Sequence, residues 1–417
     1  MKTAQLHIHD TKFDQCVKCT ICVVYCPVVP VNLNFPGPRE MGPNGRQLRE
    51  KNEDAYKEAL KLCTNCKRCD VACPAGFHIG DLIQKARVES SHRPPKLRDV
   101  LIGRTELVGR MANRIAPLAN SMTNSLVFKY LMDKLIKIDR RRVYPTYALH
   151  TFKHWYHHEA KTEQKRFDRQ VSYFHGSYVN YCEPKLGKAL VKILNAMGYG
   201  VQLMDEERSC GMTLMMNGQM RRAIKNGRKN LKNIRKEVLE KGRQVIATSS
   251  TCTYTLRDEY PNLFGLDNTD VRSHIETATR FIYRLVDEGK ARLAFKSDYV
   301  MHVGYHTPCH MERMGWAMYS TALLRMIPGV NLVILPSECC GMAGTYGYKK
   351  ENYETSQKIG EKLFSHIREA NVHTIVTDCE TCKWQIEMSM HATALHPVTI
   401  LAEALDVEET KKLNGVS

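Results

Sequence analysis

Cys339-Cys340-Gly341-Met342 has a counterpart in Ser209-Cys210-Gly211-Met212, and the two stretches mark a repeat. Cys340 lies 42 positions before Cys382, and Cys210 lies 42 before Cys252. In the other direction, His306 stands 34 positions before Cys340, and His175 stands 35 before Cys210. Tyr305-His306-Thr307-Pro308-Cys309 therefore answers Phe174-His175-Gly176-Ser177. Thr377-Asp378-Cys379-Glu380-Thr381-Cys382 answers Thr248-Ser249-Ser250-Thr251-Cys252, with one residue more. Self-similarity at a fixed spacing sets architecture before any single element does. In the first copy Val171–Phe174, Val201–Met204 and Val245–Thr248 have strand composition. Leu186–Met197 and Arg221–Glu240 between them are helical in period. The second copy repeats this with Tyr305, Val330–Leu335 and Thr374–Thr377. Alternating strands and helices predict two α/β units, each a parallel sheet with helices on its faces. The cysteines then fall where strands end and helices begin, and a helix N-terminus favours a thiolate.

The second copy holds Cys309, Cys339, Cys340, Cys379 and Cys382, one thiol more than a cubane cluster needs. In the first copy Ser177, Ser209 and Ser249 take the places of Cys309, Cys339 and Cys379. Only Cys210 and Cys252 remain there, with Cys182 five residues beyond Ser177. Serine binds soft iron poorly, so no full cluster is expected in the first copy. The pattern C…CCG…CxxC resembles the B subunits of heterodisulfide reductases and related cysteine-rich (CCG) domain proteins. That resemblance implies a third iron–sulfur centre on the five thiols, a noncubane 4Fe-4S cluster whose adjacent cysteine pair bridges irons. A structural zinc, or a redox disulfide at Cys339-Cys340, is the alternative.

The other eight of the sixteen cysteines lie at the N-terminal end. Cys16-Val-Lys-Cys19-Thr-Ile-Cys22-Val-Val-Tyr-Cys26-Pro27 and Cys63-Thr-Asn-Cys66-Lys-Arg-Cys69-Asp-Val-Ala-Cys73-Pro74 are two copies of CxxCxxCxxxCP. This is the two-cluster ferredoxin run, in which the fourth cysteine of each run serves the other cluster. The ligand sets are then Cys16, Cys19, Cys22 and Cys73 for one 4Fe-4S cluster, and Cys63, Cys66, Cys69 and Cys26 for the other. A pair of zinc sites fits badly, because zinc takes its ligands as separate CxxC or CxxH pairs. Asp54–Leu62 reads as a short helix leading into the second run, and Gly80–Val88 as a helix leaving it. The head resembles the α-helical ferredoxin domain of succinate dehydrogenase and fumarate reductase iron–sulfur subunits. No residue is singled out as catalytic.

Residues 85–170 contain no cysteine and hold 19 Lys and Arg against 8 Asp and Glu, a net of +11 within a chain of +17. Leu101, Leu107, Met111, Ile115 and Leu118 recur at helical spacing among Arg104, Arg110 and Arg114. Leu126–Ile138 continues the stripe and ends in Asp139-Arg140-Arg141-Arg142. Apolar stripes flanked by basic residues suit an interfacial helix on anionic lipid, with Arg140, Arg141 and Arg142 as part of its basic face. Packing between the head and the C-terminal part is the equally weighted alternative. His150, His154, Trp155, His157 and His158 form a cluster that reads either as a border of a quinone pocket or as surface histidines. No run of about 18 apolar residues is present, and Met1–Gln15 lacks the apolar core of a secretory signal. The charge alone would admit nucleic acid, but no recognised module accompanies it, so none is expected as a partner.

The chain thus divides into a two-cluster α-helical ferredoxin domain (1–84), a basic helical connecting segment (85–170), a degenerate CCG repeat (171–292) and a complete one (293–417). That order is similar to the iron–sulfur subunits of glycolate oxidase and lactate utilisation. Asn195–Gly198, Thr248–Thr253, Arg257–Pro261, Tyr305–Met311, Cys340–Gly347 and Thr377–Met388 are closer to the iron–sulfur C subunits of anaerobic glycerol-3-phosphate dehydrogenases. The resemblance implies a non-catalytic electron-transfer subunit, peripheral on the cytoplasmic face of a bacterial inner membrane. It would carry electrons from a flavoprotein catalytic dimer, the A and B subunits, to quinone in anaerobic respiration. No GxGxxG fingerprint opens a βαβ unit, which agrees with the flavin lying elsewhere. The alternatives are an enzyme whose CCG cluster reduces a quinone or disulfide directly, or the iron–sulfur subunit of a glycolate- or lactate-oxidising complex.

Overall fold

Two four-stranded parallel sheets carry the C-terminal part of the computed structural model, which describes residues 16–52, 54–90 and 94–416. Met1–Gln15, read above for a secretory signal, lies outside the described residues. Strands β1 (Arg169–Phe174), β2 (Tyr199–Leu203), β3 (Val245–Ala247) and β4 (Ile275–Thr277) lie in the order β2-β1-β3-β4. Strands β5 (Met301–Tyr305), β6 (Val330–Ile334), β7 (Thr374–Val376) and β8 (Thr393–Leu395) repeat it as β6-β5-β7-β8. The registers agree too, with Val171 opposite Val201 and Val303 opposite Leu332. In each sheet the chain leaves the first strand to one side, then returns to the other. The carboxyl ends of β1 and β3, and of β5 and β7, therefore flank a switch point, where open α/β sheets bind their ligands. Edge strands β4 and β8 were not expected, because three residues such as Ile275-Glu276-Thr277 are too short to show a period.

The two copies share one interior. Tyr173, Leu190, Leu194 and Val201 of the first pack in a single cluster with Tyr305, Leu323, Leu324 and Leu401 of the second. Phe152 belongs to the same cluster and meets Tyr173 edge-on at 5.7 Å, so the chain from Phe152 onward is built onto the first copy.

In the head, each cysteine run wraps through a left-handed backbone on both sides of its middle cysteine. Lys18 and Thr20 flank Cys19, and Asn65 and Lys67 flank Cys66, with φ between 55° and 64°. Non-glycine residues hold this conformation at a cost of about 1–2 kcal/mol each, which the surroundings must offset. Short helices Ile21–Val24 and Arg68–Val71 follow, and Ile79–Glu89 leaves the head across residue 84. The interior of the head is closed by the second copy, since Phe35, Leu60 and Ile83 cluster with Cys339 and Ile359.

Helices Leu97–Gly103, Thr105–Arg114, Ala116–Asn124 and Leu126–Leu131 form the middle. One side docks on the first copy: Thr213 Oγ1 donates to the Gly103 carbonyl (3.0 Å) and Arg208 pairs with Glu106 (2.9 Å). The other side is open. Fourteen of the 26 exposed large apolar side chains among the described residues lie between Leu97 and Leu149. Among the described residues no helix is long and apolar enough to cross a membrane.

The basic cluster at the end of this segment departs from expectation. Arg142 is fully buried and donates to Gly347 O, Gln385 Oε1 and Ser356 Oγ of the second copy. Arg141 pairs with Asp139 and Glu354 and stacks 3.7 Å over the Tyr353 ring. A guanidinium has five donors, and that of Arg142 is satisfied by protein acceptors, so of the three Arg142 is withdrawn from the surface, whereas Arg140 and the paired, half-exposed Arg141 face solvent. Lys96, Arg110, Arg114, Lys134 and Lys137 are also exposed among the apolar side chains.

Candidate metal centres

The head gathers its eight cysteines in two groups. The Cys22 thiol is pushed up to about 11 by burial and by the neighbouring sulfurs of Cys16, Cys19 and Cys73. Cys73 thus joins the first run rather than its own. Cys26 joins the second: one enclosed cavity is lined by Cys26, Cys63, Cys66 and Cys69 together with Val28, Phe35 and Ile83. Burial pushes Cys26 up to about 12, Cys63 and Cys339 add to it, and the backbone N–H groups of Val28 and Val29 oppose it. Buried sulfurs that repel one another are relieved by a positively charged metal core, which also requires them as thiolates. The cavity and its four thiols fit such a group. Donors tune the sulfurs: Gln84 Nε2 reaches Cys63 Sγ at 3.3 Å, and the Phe77 N–H reaches Cys73 Sγ at 3.4 Å. Hydrogen bonds to sulfur and solvent exclusion are levers on cluster potential. Neither residue was marked by spacing in the sequence.

The second copy brings its five thiols to the carboxyl ends of β5 and β7. Cys309 opens helix Cys309–Met314, and Cys379 caps helix Glu380–Met390, which contains Cys382. Cys379 is held down, at about 6, by the Cys382 thiol and by backbone N–H groups at the helix start. The Cys309 thiol holds Cys339 low, with the Gly341 N–H helping at 3.4 Å from its sulfur. Gly341 is required twice over: its φ is +82°, and a Cβ there would lie 2.0 Å from the Ser356 carbonyl. Both ring nitrogens of His306 and Nε2 of His310 are buried without a partner among the described residues. Buried polar atoms are rarely left so, and the unpartnered His306 ring, at the end of β5, marks the strand ends as a place for a guest. No three His, Cys, Asp or Glu among the described residues are grouped to hold a single ion.

The first copy uses its serines differently. Ser249, in the place of Cys379, accepts the Cys252 N–H as a helix cap (3.2 Å) and donates to Glu380 across the repeat (3.1 Å). Ser209, in the place of Cys339, accepts from Asn226 (3.1 Å). Cys210 and Cys252 remain as a hydrogen-bonded thiol pair, Cys210 lowered by the Cys252 thiol and Cys252 raised by the Cys210 thiol. Cys182 lies apart from them, in a cleft beside Tyr178 and Trp384.

The head seats its second thiol group against the second copy. After burial, the sulfurs of Cys339 and Cys26 are what push Cys66 up most, and Cys66 in turn acts on Cys309. Arg68 locks this contact, donating to the Ser337 carbonyl at 2.8 Å with Glu312 and Glu338 each 3.8 Å away. On the other flank Lys67, fully buried, pairs with Asp81 and with Glu259 of the first copy (3.1 Å).

Comparison with known proteins agrees with this geometry. A 4Fe-4S dicluster domain matches residues 12–77, and a cysteine-rich domain matches 171–257 and again 303–387. The molecule is thus an iron–sulfur electron-transfer protein, a dicluster head joined to tandem cysteine-rich domains. It is 51% identical over 398 residues to the C subunit of anaerobic glycerol-3-phosphate dehydrogenase from Escherichia coli strain K12, covering 95% of this chain and 100% of that one. The chain belongs to the family of anaerobic glycerol-3-phosphate dehydrogenase C subunits. More distantly it is similar to the B subunit of fumarate reductase (CoM/CoB) from Methanothermobacter marburgensis, 25% identical over 95% of this chain and 73% of that one. The glycolate oxidase iron–sulfur subunit of Escherichia coli is 23% identical over 96% of both chains.

Proposed function

We propose that this chain carries electrons from a flavin-bearing glycerol-3-phosphate dehydrogenase dimer, the A and B subunits, to membrane quinone, and holds that dimer at the cytoplasmic face of the inner membrane. The carrying observation is one packed cluster in which Cys22 and Cys73 of the first thiol group, Cys26, Cys63, Cys66 and Cys69 of the second, and Cys309 and Cys339 of the third all take part. Cys16, Cys19, Cys22 and Cys73 would hold one 4Fe-4S cluster, and Cys26, Cys63, Cys66 and Cys69 a second. Cys309, Cys339, Cys340, Cys379 and Cys382 would hold the third centre. When bound, these groups supply one-electron redox chemistry. The chain's own residues bury the thiols, donate hydrogen bonds to them, and keep the head docked through Arg68 and Lys67. The open apolar side of the middle helices, rimmed by Arg110, Arg114 and Lys134, supports attachment to an anionic lipid face.

Anaerobic purification with iron and acid-labile sulfide analysis, followed by EPR of the reduced protein, tests the reading. Two cubane signals and a third, distinct one are expected. Cys26→Ser should damage the cluster of Cys63, Cys66 and Cys69. Loss of only the Cys16, Cys19 and Cys22 signal would refute the crossed ligand sets.

A further inference from the structure

A cleft of about 710 Å³ opens where the connecting segment and both repeats meet, and pockets of this size at such junctions commonly take small molecules. Its walls are aromatic: Tyr144, His150, His154, Trp155, Tyr178 and Trp384 all line it. Tyr178 and Trp384 meet edge-on at 5.4 Å, and the His150 and His154 rings stack at 5.3 Å. Such a lining suits a flat, conjugated ring held by face and edge contacts. Charged and polar groups share the lining, among them Glu159, Glu183, Lys188 and Lys383. Tyr178 donates to Glu183, Lys383 lies 3.3 Å from Glu387, and the Tyr144 hydroxyl is buried without a partner among the described residues.

Two features make the occupant more specific. Trp384 and Lys383 sit on helix Glu380–Met390, directly after Cys382, so one wall of the cleft is the element that carries the last thiols of the series. Val143 and Leu149, which also line the cleft, are exposed and apolar. This stretch is tied to the middle helices, where Asn120 exchanges hydrogen bonds with the Tyr147 backbone (2.8 Å each) and Phe128 meets Tyr144 at 5.8 Å. The cleft is therefore lined both by the helix that carries Cys382 and by residues tied to the apolar face of residues 97–149. A ligand matching both is a flat redox ring with a hydrocarbon tail.

We propose that this cleft binds the quinone headgroup, with the tail leaving past Val143 and Leu149 onto the apolar face of the middle helices; the inference rests on quinone being the electron acceptor. Cys182 lines the cleft, and burial pushes its thiol up to about 12. It stays a neutral thiol at physiological pH, and quinones, as electrophiles, are attacked by thiolates rather than thiols. A quinone leaves as quinol after taking two electrons and two protons. His150, His154 and the Tyr178–Glu183 pair stand at the wall where protons would be taken up.

The test is photolabelling of the cluster-loaded chain with azido-benzoquinone and azido-naphthoquinone probes bearing short isoprenoid tails. Labelled peptides are mapped, and quinone reduction by the complete complex is measured beside them. Labels on 143–159, 178–188 or 383–387 that unlabelled quinone displaces are expected. Ala148→Trp should fill the cleft and reduce labelling severalfold, and His154→Ala, at an exposed position, should do so in a normally folded chain. Labelling confined to other peptides, in a complex that still reduces quinone, overturns the site and leaves the acceptor standing. A complex that passes electrons to a soluble dye but to neither quinone overturns both.

Discussion

Removing apolar side chains from the open side of the middle helices should release the isolated subunit from lipid by a calculable amount. Leu126, Leu135 and Leu118 are 83, 74 and 64% exposed. Full burial of a leucine is worth about 1.5–3 kcal/mol, so the exposed fractions leave about 1–2 kcal/mol each to be gained from a bilayer. An interfacial helix sinks only its apolar face, so half of the combined figure, about 2–3 kcal/mol, is the working expectation for three. Gln at all three positions should therefore weaken partitioning about 30- to 150-fold, at 1.4 kcal/mol per decade. Arg110, Arg114 and Lys134 contribute about 1 kcal/mol each near an anionic surface, a term that salt screens. Reversing them to Glu should abolish the preference for anionic over neutral vesicles. The assay is flotation with both vesicle types at low and high salt. The apolar triple should lose binding at both salt concentrations, whereas the charge triple should lose only the salt-sensitive part. Wild-type protein that floats with neither vesicle at low salt would falsify direct attachment, and the apolar face would then belong to a protein partner.

Cys340→Ser should erase the EPR signal of the C-terminal centre, and Cys210→Ser should leave it largely intact; the opposite ranking refutes the placement in the second copy. Lys67→Met removes the buried cation between Asp81 and Glu259, leaving them only the His78, Asn262 and Asn65 side chains, and should cost about 3 kcal/mol, read as easier proteolysis between head and repeats, while a loss below about 1 kcal/mol would show the seam held by packing alone. Burial pushes Glu207 up to about 8. A carboxyl whose folded pKa is raised contributes stability that is full below the unfolded value near 4.5 and is lost as pH rises through about 8. Glu207→Gln should therefore flatten the fall in melting temperature between pH 5 and pH 9, and an unchanged slope would remove Glu207 as its cause.

The duplicated spacing around Cys210 and Cys340 announced two parallel α/β units, and six of the eight strands fell where apolar runs stood, β4 and β8 being too short to read. Leu186–Met197 and Arg221–Glu240 were legible because an amphipathic period survives over many residues. Arg142 shows the limit of such reading. In sequence it is the third of three arginines behind an apolar stripe, as solvated as its neighbours. In the fold its guanidinium fills a buried hole among Gly347, Ser356 and Gln385, residues more than 200 positions away.

Thiol chemistry was local and therefore readable: two and three residues between cysteines fix which sulfurs share a loop, whatever surrounds them. Which groups of sulfurs meet was not. Tertiary packing gathered Cys66, Cys309 and Cys339 into one cluster, buried Lys67 between Asp81 and Glu259, and assembled the cleft of Tyr144, Trp155 and Trp384 from three separate parts of the chain. A pattern of spacing records only neighbours along the chain. Contacts between segments hundreds of residues apart arise from shape and from buried charges that must find partners, and these exist only once the chain has closed on itself.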